Sequence, residues 1–355
     1  MRIRSVVSAG YMPLDVISYQ DEIAYQAGGT AANVAAILAF LGWDATLAGQ
    51  TGDDRAGQIF LDDLQAAGVS TSQVYQPAGM ATPRLIHRIH SGEHSFAYSC
   101  PKCERRLPRS RPLTLGQARL CSESIPAPDV YFFDRANAAT LFLAECYADA
   151  GSVIVFEPSV PANAELLRRA VVVAHIVKHS DDRSIGGRDD LGVEPQERQI
   201  RVVTHGVGGL EVRSGGKASK RFPALTAPQV DSGGAGDWTT AGLITTAVRS
   251  GRLDSEAIDT GLRFGQALAA LSCTAPGARG LMALSRRTVT RRAREVLAQG
   301  RVLKKPRYAR SRQCEGQSCL VLSRGACRPF WFGIRSCPRR PALVERLKSF
   351  LMSGR

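Results

Sequence analysis

The sequence predicts a doubly wound α/β domain: a mostly parallel sheet flanked by helices, with a small β-lid set into it. Short apolar strands alternate with helical stretches over most of the chain, the pattern of a parallel sheet covered on both faces. Between residues 73 and 100 that rhythm gives way to period-two alternation around Ser91-Gly92-Glu93, which marks an antiparallel flap. The composition fits a folded chain, with 44% of the 355 residues hydrophobic and 22% charged.

Each element follows from local pattern. Ile3 to Ala9 reads as a strand ending at Gly10. Asp15 follows on a loop, and Val16 to Tyr25 is strand-like and leads into Gly28-Gly29-Thr30. Ala31 to Leu41 is apolar on most faces, so a buried helix is expected, stopped by Gly42. Ala45 to Ala48 is a short strand and Gly52-Asp53-Asp54 a turn. Gly57 to Ala67 has helical spacing, with Ile59, Phe60, Leu61 and Leu64 inward and Gly68 as its cap. After the flap come strands Val130–Phe133, Val153–Phe156, His175–Lys178 and Ile200–Thr204, interleaved with helices Ala138–Ala150 and Ala162–Ala170 and a charged loop at 184–198. Leu210–Arg213 and Lys220–Phe222 form a hairpin, and helices Asp237–Arg249, Ser255–Ser272 and Arg286–Ala298 close the chain's ordered part. Beyond Leu303 the patterning dissolves until a short helical end, Ala342 to Met352. The expected division is a domain at 1–285, its lid built from about 11–25 and 73–112, and a basic, cysteine-containing, partly disordered extension at 286–355.

Charge supports that division. The net charge is +14, but residues 279–355 carry 17 Arg, 3 Lys and 3 Glu, leaving 26 basic and 29 acidic side chains before them. Basicity therefore says nothing about the main domain, and nucleic acid is expected as a partner only through the tail. No stretch reaches the ~18 apolar residues of a membrane span. The segment MRIRSVVSAG has no apolar core of signal-peptide length, so a cytoplasmic location is expected and no membrane partner. The nine cysteines, an odd number, do not suggest a disulfide framework.

Chemistry concentrates in Asp231-Ser232-Gly233-Gly234-Ala235-Gly236-Asp237, which precedes an apolar helix. Backbone N–H groups of small residues at a helix start converge on an anion, and the helix dipole adds to the attraction. Asp237 within that nest is placed to accept a proton from a hydroxyl. Alone, the segment reads equally well as a glycine-rich turn with an aspartate capping a helix. A second glycine loop, Gly28-Gly29-Thr30, opens a helix carrying Asn33, whose amide offers both donor and acceptor to hydroxyls.

In this order and spacing the motifs resemble the ribokinase (PfkB-type) carbohydrate kinase family. The N-terminal signature is Gly28-Gly29, Asn33, Gly42 and Gly52-x-Asp54-x-x-Gly57; the C-terminal one is Asp231-x-x-Gly234-Ala235-Gly236-Asp237-x-x-x-Ala241-Gly242. The resemblance covers about residues 1–285 and implies a ribokinase-like fold with a β-lid over the sugar. It implies Asp237 as the base, Gly234, Ala235 and Gly236 as the anion hole, and Asp15, Gly28, Gly29 and Asn33 as ligands of substrate hydroxyls. It further implies Ser180, Thr204 and Gly206 beside the ATP phosphates, Gln266 and Gly277 at the adenine, and Asp231 at a monovalent cation such as K+. ATP with Mg2+ is the implied cofactor, and a homodimer through the lid the implied assembly.

The chain departs from the pattern at Lys178-His179-Ser180-Asp181-Asp182-Arg183, where the family has Asn-x-x-Glu; Asp181 or Asp182 then remains for magnesium. Gly233 replaces a hydroxyl residue, and Trp238 a small one. Cys100 and Cys103 have the spacing of half a zinc site, with Cys121 or His87, His90 and His94 as further donors, or form a reduced pair. Cys314, Cys319, Cys327 and Cys337 match no zinc-finger spacing. The expected function is ATP-dependent phosphorylation of a hydroxyl on a sugar or sugar-like molecule. Two alternatives stay open: a nucleoside kinase of the same fold, with Tyr75, Phe96 or Tyr98 stacking a base, and a catalytically weak binding or regulatory homologue.

Overall fold

Nine strands form the main sheet and five a smaller one. In chain order the strands are β1 (Ser5–Ala9), β2 (Leu14–Tyr19), β3 (Glu22–Ala27), β4 (Asp44–Gln50), β5 (Val69–Tyr75), β6 (Arg84–His90), β7 (Glu93–Ala97), β8 (Val130–Phe133), β9 (Val153–Phe156), β10 (Ile176–Ser180), β11 (Ile200–Thr204), β12 (Leu210–Ser214), β13 (Lys220–Phe222) and β14 (Val321–Leu322). The helices are α1 (Thr30–Phe40), α2 (Arg55–Ala66), α3 (Leu115–Ser124), α4 (Ala138–Asp149), α5 (Ala164–Val173), α6 (Ala235–Ala247), α7 (Ser255–Ser272) and α8 (Arg286–Gln299). This computed structural model describes residues 2–302, apart from 20–21, 91–92, 101–102, 160–162, 182–195, 198, 215–217 and 249–252, together with 321–322.

The main sheet runs β13-β12-β11-β10-β9-β8-β1-β4-β5. From β11 to β5 every neighbouring pair is parallel, and β12 and β13 add an antiparallel edge. The order reverses direction at β1, flanked by β4 and β8, and open α/β sheets bind ligands at such a switch point. Hydrophobic residues fill both faces: one core joins α1, α6, α7 and α8, and the other joins α3, α4 and α5 around Tyr131, Phe133 and Phe156.

The lid is a separate sheet, ordered β14-β3-β2-β6-β7. Three expectations shift here. Val16 to Tyr25 is not one strand but the β2–β3 hairpin, paired antiparallel from Leu14↔Ala27 to Tyr19↔Glu22. The segment from residue 73 belongs to β5, which pairs parallel with β4 in the main sheet, so the second lid segment starts only at Arg84. The domain also runs past 285. Helix α8, capped by the Ser285 side chain, buries Val289, Ala293 and Val296 in the main core, and Val302 is buried with its N–H on the Thr226 carbonyl. The amphipathic spacing of α8 is what a packed helix needs, whatever the surrounding charge. The tail cysteines, the aromatic run at 330–332 and the helix expected at 342–352 lie outside the described residues.

Asp54 ties lid to core. It caps α2 through the Gly57 N–H, and it accepts from the Thr82 hydroxyl and amide and from Arg84, the first residue of β6. The Gly52-x-Asp54-x-x-Gly57 motif is thus the hinge post of the lid. A side chain at Gly57 would meet the Gly52 carbonyl.

Candidate active site

Helix α6 opens the site. Its N-cap Gly234 has φ 81°, in the left-handed region, and a Cβ there would strike Ala278. The N-cap of the first turn therefore needs glycine, and the Ala235 N–H that follows it donates to Ser232 O at 3.2 Å. Helix α6 is buried from Asp237 to Ile244 and again at Ala247, which fixes its axis. Trp238 is wholly buried under the helix, its indole N–H donating to Ala278 O at 2.9 Å with Phe40 packed edge-on. It holds the turn from beneath and does not narrow the site.

Asp237 sits in that first turn, 7% exposed, and its Oδ2 accepts from Asn33 Nδ2 at 2.8 Å. The two glycine loops, 204 residues apart in sequence, therefore meet side chain to side chain. Gly28 lets the Asp15 carboxylate come close, since a Cβ on Gly28 would overlap it. Arg279 holds the same loop, donating to Ala27 O and to Asp63, which also accepts from the Ala27 N–H. This charge from the basic end of the sequence is a buried structural strut.

Two buried acceptors at this junction have no partner among the described residues: Asp15 Oδ1 and Asn33 Oδ1. Burial pushes the Asp15 carboxyl up to about 7, against the pull of His87 and Arg279. Asp134, at the end of β8, is also buried and pushed up to about 6. Its Oδ1 accepts from Tyr11 N, and Arg135 lies 4.8 Å over the Tyr11 ring. A cavity of about 210 Å³ opens beside Tyr11 and Arg135, at the carboxyl ends of β1, β4 and β8.

On the other side of α6, Ser180 and Thr204 stand side by side at the ends of β10 and β11, in register. Gly206 begins the short 3-10 turn Gly206–Gly208, and His205 contacts Asp181 at 2.6 Å. Gln266 on α7 donates to the Pro223 carbonyl. Gly277 lies with Asp231: both its N–H and that of Gly233 donate to the Asp231 carboxylate at 2.8 Å. Asp182 and Arg183 lie outside the described residues.

Sequence reasoning missed one group entirely. Lys178 is buried and pairs with Glu157 at 2.6 Å, and the other Glu157 oxygen accepts from Thr240 of α6 at 2.7 Å. A Cβ on Gly236 would lie 3.5 Å from Lys178 Nζ and 3.8 Å from Glu157 Oε1, so this pair flanks the first turn of α6. The available signal was a charged residue in or directly after each of two neighbouring strands, Lys178 within β10 and Glu157 after β9. Cys100 is buried, Cys103 half-buried, and a tight turn joins them through Glu104 N on Cys100 O at 2.9 Å. No three His, Cys, Asp or Glu side chains among the described residues are grouped to hold a metal ion.

A glycine-rich helix start meeting a second glycine loop at the switch point of a doubly wound sheet, under a β-lid, is the architecture of a sugar-kinase-type phosphotransferase. The chain belongs to the pfkB family of carbohydrate kinases, whose model matches residues 4–182 and 189–283. It is 28% identical over 273 residues to a fructokinase of Klebsiella pneumoniae, covering 71% of this chain and 87% of that one. Among solved structures, aminoimidazole riboside kinase from Salmonella enterica, complexed with aminoimidazole riboside and an ATP analogue, superposes with a TM-score of 0.64 at 20% identity, over 81% of this chain and 99% of that one. A fructokinase double mutant from Vibrio cholerae, with fructose, ADP and a potassium ion bound, gives a TM-score of 0.62 at 19% identity, over 79% and 95%. The protein is a carbohydrate kinase, and no helix among its described residues is long and apolar enough to cross a membrane.

Proposed function

We propose that the protein transfers the γ-phosphoryl group of ATP to a hydroxyl of a sugar or sugar-like polyol. The observation that carries this reading is the pair of unpartnered buried acceptors, Asp15 Oδ1 and Asn33 Oδ1, beside Asp237. Buried acceptors without donors cost ~1–3 kcal/mol each. Adjacent hydroxyls of a polyol supply those donors and orient one oxygen toward Asp237.

Asn33 holds the Asp237 carboxylate through Oδ2, and that carboxylate takes the hydroxyl proton as the oxygen attacks in line. The amides of 234–236 meet the charge that develops on the transferring phosphoryl oxygens. Ser180, Thr204 and Gly206, at neighbouring strand ends, border the nucleotide phosphates. The lid closes over the acceptor and keeps water from taking its place. Magnesium fits the donor set as an ion held mainly by the nucleotide, because it keeps waters and needs only one or two protein carboxylates. Asp181, just past the end of β10, would hold it there. When bound, it neutralises phosphate charge.

A second reading, a riboside acceptor, is favoured by two aromatics of the lid region that face outward, Phe96 at 42% and Tyr98 at 57% exposed. A thermal-shift screen of hexoses, pentoses and ribosides, with and without a non-hydrolysable ATP analogue, separates the two. The polyol reading requires a melting-temperature rise with a plain sugar that grows when the analogue is added. A rise with ribosides alone replaces it with the second reading, and no rise with any acceptor sinks both.

A further inference from the structure

In the loop before α6, both oxygens of a buried carboxylate already have partners. Asp231 is fully buried, and its Oδ1 and Oδ2 accept from Gly233 N and Gly277 N. His87 of the lid strand β6, also buried, brings Nε2 to 3.6 Å from Oδ2. That is longer than a good hydrogen bond. Phe96 of β7 holds the imidazole from the other side, ring centres 4.8 Å apart. Gly233, where the family pattern has a hydroxyl residue, makes the room: a Cβ there would lie 3.0 Å from His87 Cε1. Burial alone would push the Asp231 carboxyl up, but His87 and the two backbone donors outweigh it and hold it below its ordinary range.

These surroundings do not fit the monovalent cation implied at Asp231 by resemblance. A hard cation gathers oxygens. Here the carboxylate faces two N–H groups and an imidazole ring rather than further oxygens. We propose that His87 takes the place of the monovalent cation: the lid's imidazole packs against Asp231, latches the lid to the loop before α6, and leaves the protein independent of potassium. The inference rests on the kinase reading of the site, and its test does not need turnover.

The test measures the melting temperature, and the affinity for a fluorescent ATP analogue with Mg2+, in KCl, NaCl and tetramethylammonium chloride at equal ionic strength. The wild type is expected to give the same values in all three, within twofold in affinity. His87→Ala, which opens the space beside Asp231, is expected to gain a potassium-specific rise in both. His87→Gln keeps an N–H donor, stands in if the alanine variant does not fold, and is expected to remain indifferent to the cation. A potassium-specific rise in the wild-type melting temperature overturns the proposal, with or without nucleotide. So does a His87→Ala protein as indifferent as the wild type. Failure of the analogue to bind in any salt breaks the kinase reading instead, and the melting temperatures still decide the cation question.

Discussion

The two sides of helix α6 treat buried charge in opposite ways. Toward β9 and β10, Glu157 answers both Lys178 and Thr240, and nothing on that carboxylate is left to satisfy. Toward the lid, Asp15 and Asn33 each keep an acceptor oxygen unpartnered, and Asp15 carries the strain as a carboxyl pushed up to about 7. A closed network fixes a helix; an open one leaves donors for a ligand to bring. The difference separates the rigid wall of the site from its substrate face, and each of the following changes breaks or sharpens it.

The largest effect is expected at the boundary itself. Asp237→Asn keeps an oxygen for the Asn33 amide, so the melting temperature should hold while turnover falls ~10²–10⁴-fold. Steady-state rates and a melting curve on the same sample check it, and turnover within tenfold of wild type removes Asp237 from the role of base.

On the closed side, Glu157→Leu leaves Lys178 buried without its carboxylate and should cost ~3–5 kcal/mol of stability. Adding Lys178→Met should recover most of that loss in denaturant unfolding. A single variant as stable as wild type would mean that the pair does not brace α6.

On the open side, Asp15→Asn should raise KM for the acceptor far more than it lowers kcat. It should also change the pH dependence of stability, with a sign fixed by the raised carboxyl. Between its ordinary value of 3.8 and about 7, the folded wild type binds more protons than the unfolded chain, so this group makes stability fall as pH rises. The variant lacks that loss. Its melting temperature relative to wild type should climb from pH 4 to pH 8, and a difference flat with pH would show Asp15 to be solvated.

Smaller effects belong outside the comparison. Replacing Cys100 and Cys103 by Ser together should cost ~1–3 kcal/mol through an unsatisfied buried hydroxyl and leave turnover unchanged. Stoichiometric zinc in the wild type, lost in the variant together with stability, would make the pair half of a metal site. Ending the chain at Val302, which keeps α8, should move the melting temperature by no more than about 2 °C, the effect of ~1 kcal/mol in a domain this large. A larger fall would show that pairing of Val321–Leu322 with β3 supports the lid edge.

Local pattern carried much of the fold. The apolar runs of β8 and β9, the all-round apolar α1, and the glycine stops of α1 and α2 are decided by side chains within a few residues of one another, so they are readable in order. The extent of the lid was not. Val74 and Tyr75 alternate as a flap strand would, yet Val69–Tyr75 joins the main sheet, because strand partners are chosen by the distant surface that is left to cover. Charge misled at α8, where arginines on the outer face concealed the buried Val289, Ala293 and Val296.

The same division runs through the site. The sequence by itself determined that Gly234-Ala235-Gly236 would open a helix and that Asp237 would stand in its first turn, since both depend on backbone freedom and the helix start alone. Only the tertiary structure decided that Asn33 grips Asp237, that Glu157 and Lys178 flank the first turn of α6, and that His87 crosses from the lid to Asp231. Each of those pairs joins residues more than twenty positions apart. Such a contact exists only after chain folding has excluded water and left two polar groups with no one else to answer.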